Sequence, residues 1–191
     1  LQMLKKELDK DTILVSVMWV NNIIGSIQPI QEIIDLVEEY PKAKLLVDAV
    51  QGMCKTVPTF LFKDIDIITF SAHKFYGPKG VGCLVQKDNI ILEPLLYGTN
   101  TQKANKPGTI DLALCVACAK ALKKFLPLTL ENQNYVLDLW RYLYNHIKDN
   151  SKIIINSLPD NNSPYIFNLS IPSINSETIL HILEKAEIYV S

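Results

Sequence analysis

The sequence lacks three features, each of which would have assigned it to a class of protein. It has no uninterrupted apolar run of about 18 residues, so it offers no candidate transmembrane helix. It has no long run of like charges, and its 19 basic and 20 acidic residues nearly cancel, so we predict neither a nucleic-acid partner nor a membrane surface. Its four cysteines do not make a disulfide framework in a chain of 191 residues, which favours a reducing compartment.

What the sequence does contain is enough apolar material for a globular core, at 48% hydrophobic residues. Residues 1–10 and 30–37 have the periodicity of amphipathic helices. Apolar, β-rich segments that predict strands occupy residues 12–20, 45–47, 65–70 and 81–85. We expect the first of these strands to be covered on both faces. A helix between two such strands predicts a right-handed β-α-β unit, and hence an α/β fold.

The second half of the chain predicts helices first and then a mixed region. Helices are expected over 110–125 and 128–149, and residues 150–191 have the short apolar runs and turn clusters of an α+β segment, with Ser176 as a helix cap. The first helix carries one apolar stripe: Leu112, Cys115, Val116, Ala119 and Leu122. The second is expected to turn five side chains inward: Leu137, Trp140, Leu143, Tyr144 and Ile147.

Two cysteines one helical turn apart invite a redox or metal interpretation of Cys115 and Cys118. We interpret both as small core residues instead, because the sequence offers no second ligand pair and cysteines on an apolar helix face usually pack as small hydrophobes.

A lysine follows the strand predicted at 65–70. Lys74 comes just after the strand end, and a glycine-rich turn at residues 77–82 lets the backbone bend sharply beside it. Ligands of open α/β sheets bind outside the carboxyl ends of the strands, where a desolvated lysine can act as a nucleophilic amine. The alternative is an ordinary surface lysine before a turn.

An aspartate at the end of a second strand favours the first interpretation, in which Lys74 is a functional amine. Asp48 ends the strand at 45–47. A lysine and a carboxylate at neighbouring strand ends are what pyridoxal phosphate chemistry requires, since the lysine holds the aldehyde covalently and the carboxylate keeps the pyridine nitrogen protonated. We therefore predict Lys74 and Asp48 as catalytic residues and pyridoxal phosphate as the cofactor.

Around these two residues the sequence resembles the cysteine desulfurases, a group within the class V aminotransferases. The matching segments are Val-Ser-Val-Met-Trp-Val-Asn-Asn-Ile-Ile-Gly at 15–25, Val-Asp-Ala-Val-Gln at 47–51, Ser-Ala-His-Lys-Phe-Tyr-Gly-Pro-Lys-Gly at 71–80, Glu-Pro-Leu-Leu-Tyr-Gly at 93–98 and Pro-Gly-Thr at 107–109. The resemblance implies a fold-type I pyridoxal phosphate enzyme with a three-layer α/β/α large domain. Residues 1–128 would form its C-terminal part, and residues 129–191 a linking helix and the start of an α+β small domain.

The resemblance also implies further cofactor-binding residues. Asn22 and Gln51 match residues that contact the cofactor ring, and Ser71 and His73 match phosphate ligands. Thr109 matches a threonine that reaches the cofactor phosphate of a neighbouring subunit, although the loop at 98–107 lacks the family's glycines and arginines. From the residues alone, Asn22 could be a turn former, Gln51 a helix-start residue, and Ser71 and His73 partners of strand-end backbone.

The function that the resemblance implies is the transfer of sulfur from L-cysteine to an enzyme cysteine, giving a persulfide and alanine for iron-sulfur cluster or thiolation pathways. It implies a homodimer, a sulfur-acceptor or scaffold partner, and a cytoplasmic or mitochondrial location. Family members are expected to be about twice this length, with the nucleophilic cysteine beyond Ser191, so we expect an internal or truncated segment. Alternatives are a selenocysteine lyase, another class V aminotransferase or lyase, and an inactive copy that keeps only the scaffold.

Overall fold

The protein is described by a computed structural model that covers residues 1–102 and 105–191. A four-stranded sheet with the order β1-β2-β3-β4 is its centre. The strands are β1 (Leu14–Met18), β2 (Lys44–Asp48), β3 (Ile67–Ser71) and β4 (Gly82–Gln86). The first three strands are parallel, whereas β4 runs antiparallel to β3. The predicted α/β fold is confirmed.

Helix α1 (Gln2–Glu7) precedes the sheet, and helix α2 (Ile30–Glu38) connects β1 to β2. The β-α-β unit predicted from the sequence is therefore present as a parallel strand pair with a helical connection. α2 follows Pro29, whose ring is compatible with the backbone at a helix start. It buries a continuous apolar face against the sheet, made of Ile30, Ile33, Ile34, Leu36 and Val37. That burial, more than local propensity, stabilises so short a helix.

The connection from β2 to β3 contains turns instead of a second long helix. Residues 49–56 form successive turns, and a short 3-10 helix (Phe62–Asp64) precedes β3. The rings of Trp19, Phe60 and Phe62 pack edge to face beneath these turns, with centroids 4.9 to 6.1 Å apart. These three packed rings therefore stabilise the turns that follow β2.

The C-terminal half contains α3 (Leu112–Phe125), α4 (Thr129–Ile147), a two-stranded antiparallel sheet of β5 (Ile154–Ile155) and β6 (Leu169–Ser170), and α5 (Ser176–Lys185). The predicted α+β character of residues 150–191 is confirmed. The predicted domain boundary falls in the short link between α3 and α4, and the division into two domains stays a prediction. One local expectation is wrong: Asn175, not Ser176, caps α5.

Three predictions of burial also need correction. In β1, Leu14 and Ser16 are exposed, because β1 is an edge strand that alternates buried and exposed side chains and is not covered on both faces. In α3 the stripe predicted from the apolar pattern faces outward at four of its positions, and Cys118 and Ala121 lie in the core instead. In α4, four of the five predicted side chains face inward to some degree, but Leu143 is exposed.

The four cysteines are all free thiols. Cys118 is buried in the core as expected, with its Sγ 3.8 Å from Sγ of Cys83 on β4, whereas Cys115 is exposed and is not a core residue. Burial raises the pKa of Cys54 to about 11. Within the described part of the chain, no helix has the length and apolar character needed to cross a membrane.

Candidate functional site

The three parallel strands end together at one edge of the sheet. Met18 at the end of β1 pairs with Asp48 at the end of β2, and Asp48 pairs with Thr69 near the end of β3. The segments that follow these strands therefore leave the same edge and carry their polar side chains into one region. Six of the seven residues predicted from the sequence lie on these strand ends or in the segments that follow them.

Lys74 is presented by a short 3-10 helix (Ala72–Phe75) directly after β3. Ala72 and Phe75 are fully buried and anchor this turn in the core, which leaves Lys74 partly exposed at the edge. The helix ends at Tyr76 in the left-handed region (φ 64°), and Gly77 then passes so close to Ala72 that a Cβ there would lie 2.8 Å from the alanine methyl group. The glycine is needed for this close approach to Ala72.

Asp48 is partly buried at the end of β2. Its Oδ1 accepts a hydrogen bond of 2.9 Å from the backbone N–H of Val50. The backbone around it is held on both sides, because Trp19 N donates to the Asp48 carbonyl (2.9 Å) and Ala49 N donates to the Thr69 carbonyl (2.8 Å). No cation among the described residues forms an ion pair with this carboxylate. It is therefore held in place by backbone hydrogen bonds, and none of the described residues pairs with its charge.

The two adjacent asparagines after β1 have different roles in the structure. Asn21 is the turn former, since its Oδ1 accepts hydrogen bonds from the N–H groups of Ile23 (2.9 Å) and Ile24 (3.0 Å). Asn22 is exposed, and in the described chain no hydrogen bond engages its side chain. The turn alternative thus holds for Asn21, while the Asn22 amide stays available to a ligand.

Gln51 lies in the turn after Asp48 and does not begin a helix, which removes that alternative. Its Oε1 accepts a hydrogen bond of 3.1 Å from Nζ of Lys55. Lys55 was not singled out from the sequence. Its only sequence signal is a spacing of four residues from Gln51, which has no special meaning outside a helix. Burial and the positive charge of Lys74 lower the pKa of Lys55 to about 8, which indicates that its ammonium lies near the site lysine.

The remaining predicted residues divide into two groups. Ser71 is the last residue of β3, and His73 is exposed on the turn beside Lys74, so both lie at the same edge as the lysine. Thr109 is exposed in the segment before α3, and no hydrogen bond of the described residues links it to the other six. The loop before it is stabilised internally, for example by Gly108 N donating to Oγ1 of Thr99 at 3.2 Å.

The donor set at this edge suits a phosphorylated aldehyde. It offers a primary amine, a carboxylate, a hydroxyl, an imidazole and two amides, and none of the Lys74, Ser71 and His73 side chains has a hydrogen bond or ion pair within the described residues. Groups of three or more His, Cys, Asp or Glu side chains that could hold a metal are absent from the part of the chain that the structure describes.

Comparison with known proteins gives a consistent result. The aminotransferase class-V family matches residues 1–191. The chain is 37% identical over 190 residues to a NifS/IcsS protein homolog of Lactobacillus delbrueckii subsp. bulgaricus, covering 98% of this chain and 49% of that protein. It is 33% identical over 189 residues to cysteine desulfurase IscS of Dictyoglomus turgidum, covering 98% and 48% respectively.

The fold agrees with these sequence relatives. A solved NifS-like protein superposes with a TM-score of 0.92 at 31% identity, over 100% of this chain and 52% of that one. The chain spans about half the length of the curated relatives it matches. It belongs to the class V aminotransferase family, with the fold of the NifS-like proteins.

Proposed function

We propose that the protein of which these residues are part is a pyridoxal phosphate-dependent cysteine desulfurase. The single observation that carries the proposal is the presentation of Lys74 and Asp48 from neighbouring parallel strand ends, in a chain whose relatives are named cysteine desulfurases. Both side chains are placed by the backbone and neither is used in an ion pair of the described residues.

Pyridoxal phosphate, when bound, supplies an aldehyde for attachment to an amine and a ring that takes up electrons from the substrate. The Lys74 amine would hold the bound cofactor, and the same amine would accept and return protons at the substrate carbon atoms. The Asp48 carboxylate holds a proton at the pyridine nitrogen. Ser71 and His73 bind the phosphate, and Asn22 and Gln51 orient the ring through their amides.

We also propose that two copies of the protein pair, so that Thr109 of one copy serves the phosphate site of the other. Two features support this arrangement. Thr109 is exposed, and no hydrogen bond of the described residues links it to the other site residues. The segment before it also exposes a cluster of large apolar side chains, each at least 69% accessible: Ile91, Leu95, Leu96 and Tyr97. Several large apolar side chains exposed within one short segment are typical of an interface.

L-cysteine is the proposed substrate, and a sulfur-acceptor or scaffold protein is the proposed partner. The free thiols agree with a reducing compartment such as the cytoplasm or the mitochondrion. The decisive experiment is to purify the full-length protein with pyridoxal phosphate, record its visible absorbance, and assay alanine and sulfide from L-cysteine with a reductant. Cofactor absorbance with alanine production supports the proposal. Greater activity on L-selenocysteine would favour a selenocysteine lyase, and absence of cofactor absorbance would favour an inactive scaffold.

A further inference from the structure

Lys55 has an unusual environment at the carboxyl edge of the sheet. Its Nζ lies 3.1 Å from Oε1 of Gln51 and 5.9 Å from the centroid of the Tyr165 ring. The side chain is partly buried, and across the described residues no carboxylate lies within ion-pair distance of it. This ammonium therefore has one neutral hydrogen bond and one distant ring contact as its only described polar partners.

Such an environment disfavours a charge. Partial burial is the larger cause and the nearby charge of Lys74 the smaller one, and together they lower the pKa of Lys55. The Gln51 amide is neutral and the Tyr165 ring is 5.9 Å away. These two contacts therefore stabilise the ammonium less than an ion pair with a carboxylate would. The charge of Lys55 lowers the stability of the fold and lies beside the predicted site lysine. A role in that site therefore explains Lys55 better than a contribution to stability does.

The hydrogen bond between Lys55 and Gln51 has a definite direction. A lysine ammonium has three donors and no acceptor, so the Gln51 atom that faces it must be the carbonyl oxygen. The amide nitrogen, with its two N–H groups, is then directed away from Lys55 and is left to donate to another partner. Hydrogen-bond partners are what assign the orientation of an amide, and here the partner allows only one.

We infer that Lys55 is a positioning residue, which holds the Gln51 amide by its oxygen so that Gln51 acts toward pyridoxal phosphate as a hydrogen-bond donor. This inference rests on the proposed function, because it concerns the same site. It adds a residue that does not itself contact the cofactor but determines which end of Gln51 can do so.

The position of Lys55 is fixed from its other side by the C-terminal half of the chain. Tyr165 belongs to a segment bound to the turn that carries Asn22. Ser163 N donates to the Gly25 carbonyl at 2.8 Å, and Oγ of Ser157 donates to the Ile24 carbonyl at 2.9 Å. A Cβ at Gly25 would lie 2.6 Å from Nδ2 of Asn162, so this packing is close. Lys55 therefore lies between the Gln51 turn and a segment that also holds the Asn22 turn.

The test uses the full-length protein reconstituted with pyridoxal phosphate. Lys55→Met keeps the aliphatic stem and removes the donor, while Lys55→Arg keeps a donor and a charge. We expect Lys55→Met to shift the visible absorbance maximum of the bound cofactor and to raise its dissociation constant about tenfold, the usual cost of one lost hydrogen bond to a charged group. Lys55→Arg should restore most of both. Lys79→Met, an exposed lysine in the turn after Lys74, serves as the matched control and should change neither.

Two further variants separate positioning from a general effect on folding. Adding Lys55→Met to Gln51→Leu should have no additional effect, since the amide that Lys55 holds is already absent. Gln51→Glu retains an acceptor for Lys55 but has no N–H to donate, and should weaken cofactor binding about as much as Lys55→Met. An additive double variant would overturn the inference. So would a Gln51→Glu variant that binds cofactor like the wild type, and this second outcome can be measured even if Lys55→Met fails to fold.

The remaining outcomes distinguish this inference from the proposed function. If the wild-type protein binds pyridoxal phosphate and Lys55→Met has the same absorbance and affinity, the role of Lys55 is wrong and the proposed function stands. If the wild-type protein binds no pyridoxal phosphate, both are wrong.

Discussion

Charged side chains at the two ends of the central sheet differ in the partners that they have. At the amino end, Asp66 precedes β3 and its carboxylate is fully used, because Oδ2 accepts from the Leu45 N–H at 2.9 Å and Oδ1 lies 3.2 Å from Nζ of Lys87. At the carboxyl end, Asp48 has only a backbone donor and Lys74 has no hydrogen bond or ion pair with any residue that the structure describes.

Within one sheet, the charged side chains that stabilise the fold are therefore distinct from those that are left to bind a ligand. A carboxylate that accepts from buried backbone and pairs with lysine stabilises strand connections. Asp48, Lys74 and Lys55 form no ion pair with any residue that the structure describes. Their charges therefore add no ion-pair stabilisation among these residues and are left for a ligand. If function and stability divide between the two ends in this way, variants at the carboxyl end should lose function, and variants at the amino end should lose stability.

The largest expected effect is the loss of Lys74. In the full-length protein, Lys74→Ala should abolish borohydride-fixed attachment of pyridoxal phosphate and reduce alanine production to background, since only a primary amine can hold the aldehyde. Mass spectrometry of tryptic peptides after borohydride reduction measures the attachment. Lys79→Ala, five residues away and exposed, is the control and should leave both unchanged. A label recovered on another lysine of the wild-type protein would contradict the assignment.

The second prediction concerns Asp48, the carboxylate at the carboxyl end of the sheet. Asp48→Asn should lower turnover by about 100-fold or more with little change in cofactor affinity, because an amide cannot hold a proton at the pyridine nitrogen. The asparagine carbonyl can still accept from Val50 N, so the local turn is retained. Steady-state kinetics and a cofactor titration measure the two quantities. Turnover close to that of the wild type would mean that Asp48 serves the turn alone.

The amino end should respond in the reverse sense. Asp66→Ala leaves the Leu45 N–H without an acceptor and Lys87 without its carboxylate, and should lower the free energy of unfolding by about 2 kcal/mol. Cofactor affinity should not change. Denaturant titration followed by circular dichroism measures the loss. The matched control is Asp11→Asn, which removes an exposed ion pair to Lys42 and should cost less than about 0.5 kcal/mol. Equal losses from both variants would contradict the difference between the two ends.

The strand ends could be predicted from the sequence because their signals are local. Apolar runs that stop at Asp48 and at Ser71 predict parallel strands, and parallel strands end at a common edge. The residue types that follow them then suggest the chemistry. The choice between Asn21 and Asn22 was not available in this way, since it depends on which amide the turn uses for its own backbone.

What the sequence could not provide depends on contacts between distant segments. The apolar stripe of α3 from Leu112 to Ala119 has the helical period, but the period does not tell which face the sheet covers, and Cys118 and Ala121 are the buried positions. Lys55 shows the same limit for the site. Its importance arises from Gln51, Lys74 and Tyr165, and the last of these is far away in sequence.

The smallest expected effect concerns the stability cost of Lys55. Its folded-state pKa is lowered to about 8 from an ordinary value of 10.5. Below about pH 8 the charged Lys55 therefore lowers the free energy of unfolding by its full amount. Between pH 8 and pH 10.5 the unfolded chain binds more protons than the folded one, so stability rises with pH and the cost disappears. Lys55→Met should therefore raise the free energy of unfolding at pH 7 by on the order of 1 kcal/mol, a value reduced by solvent screening of a partly exposed side chain, and the gain should vanish toward pH 10.5. Denaturant titrations of both proteins at pH 7, 9 and 10.5 measure this, with Lys63→Met as the exposed control that should show no such trend. A variant that is less stable than the wild type at pH 7 would make Lys55 a structural residue like Asp66.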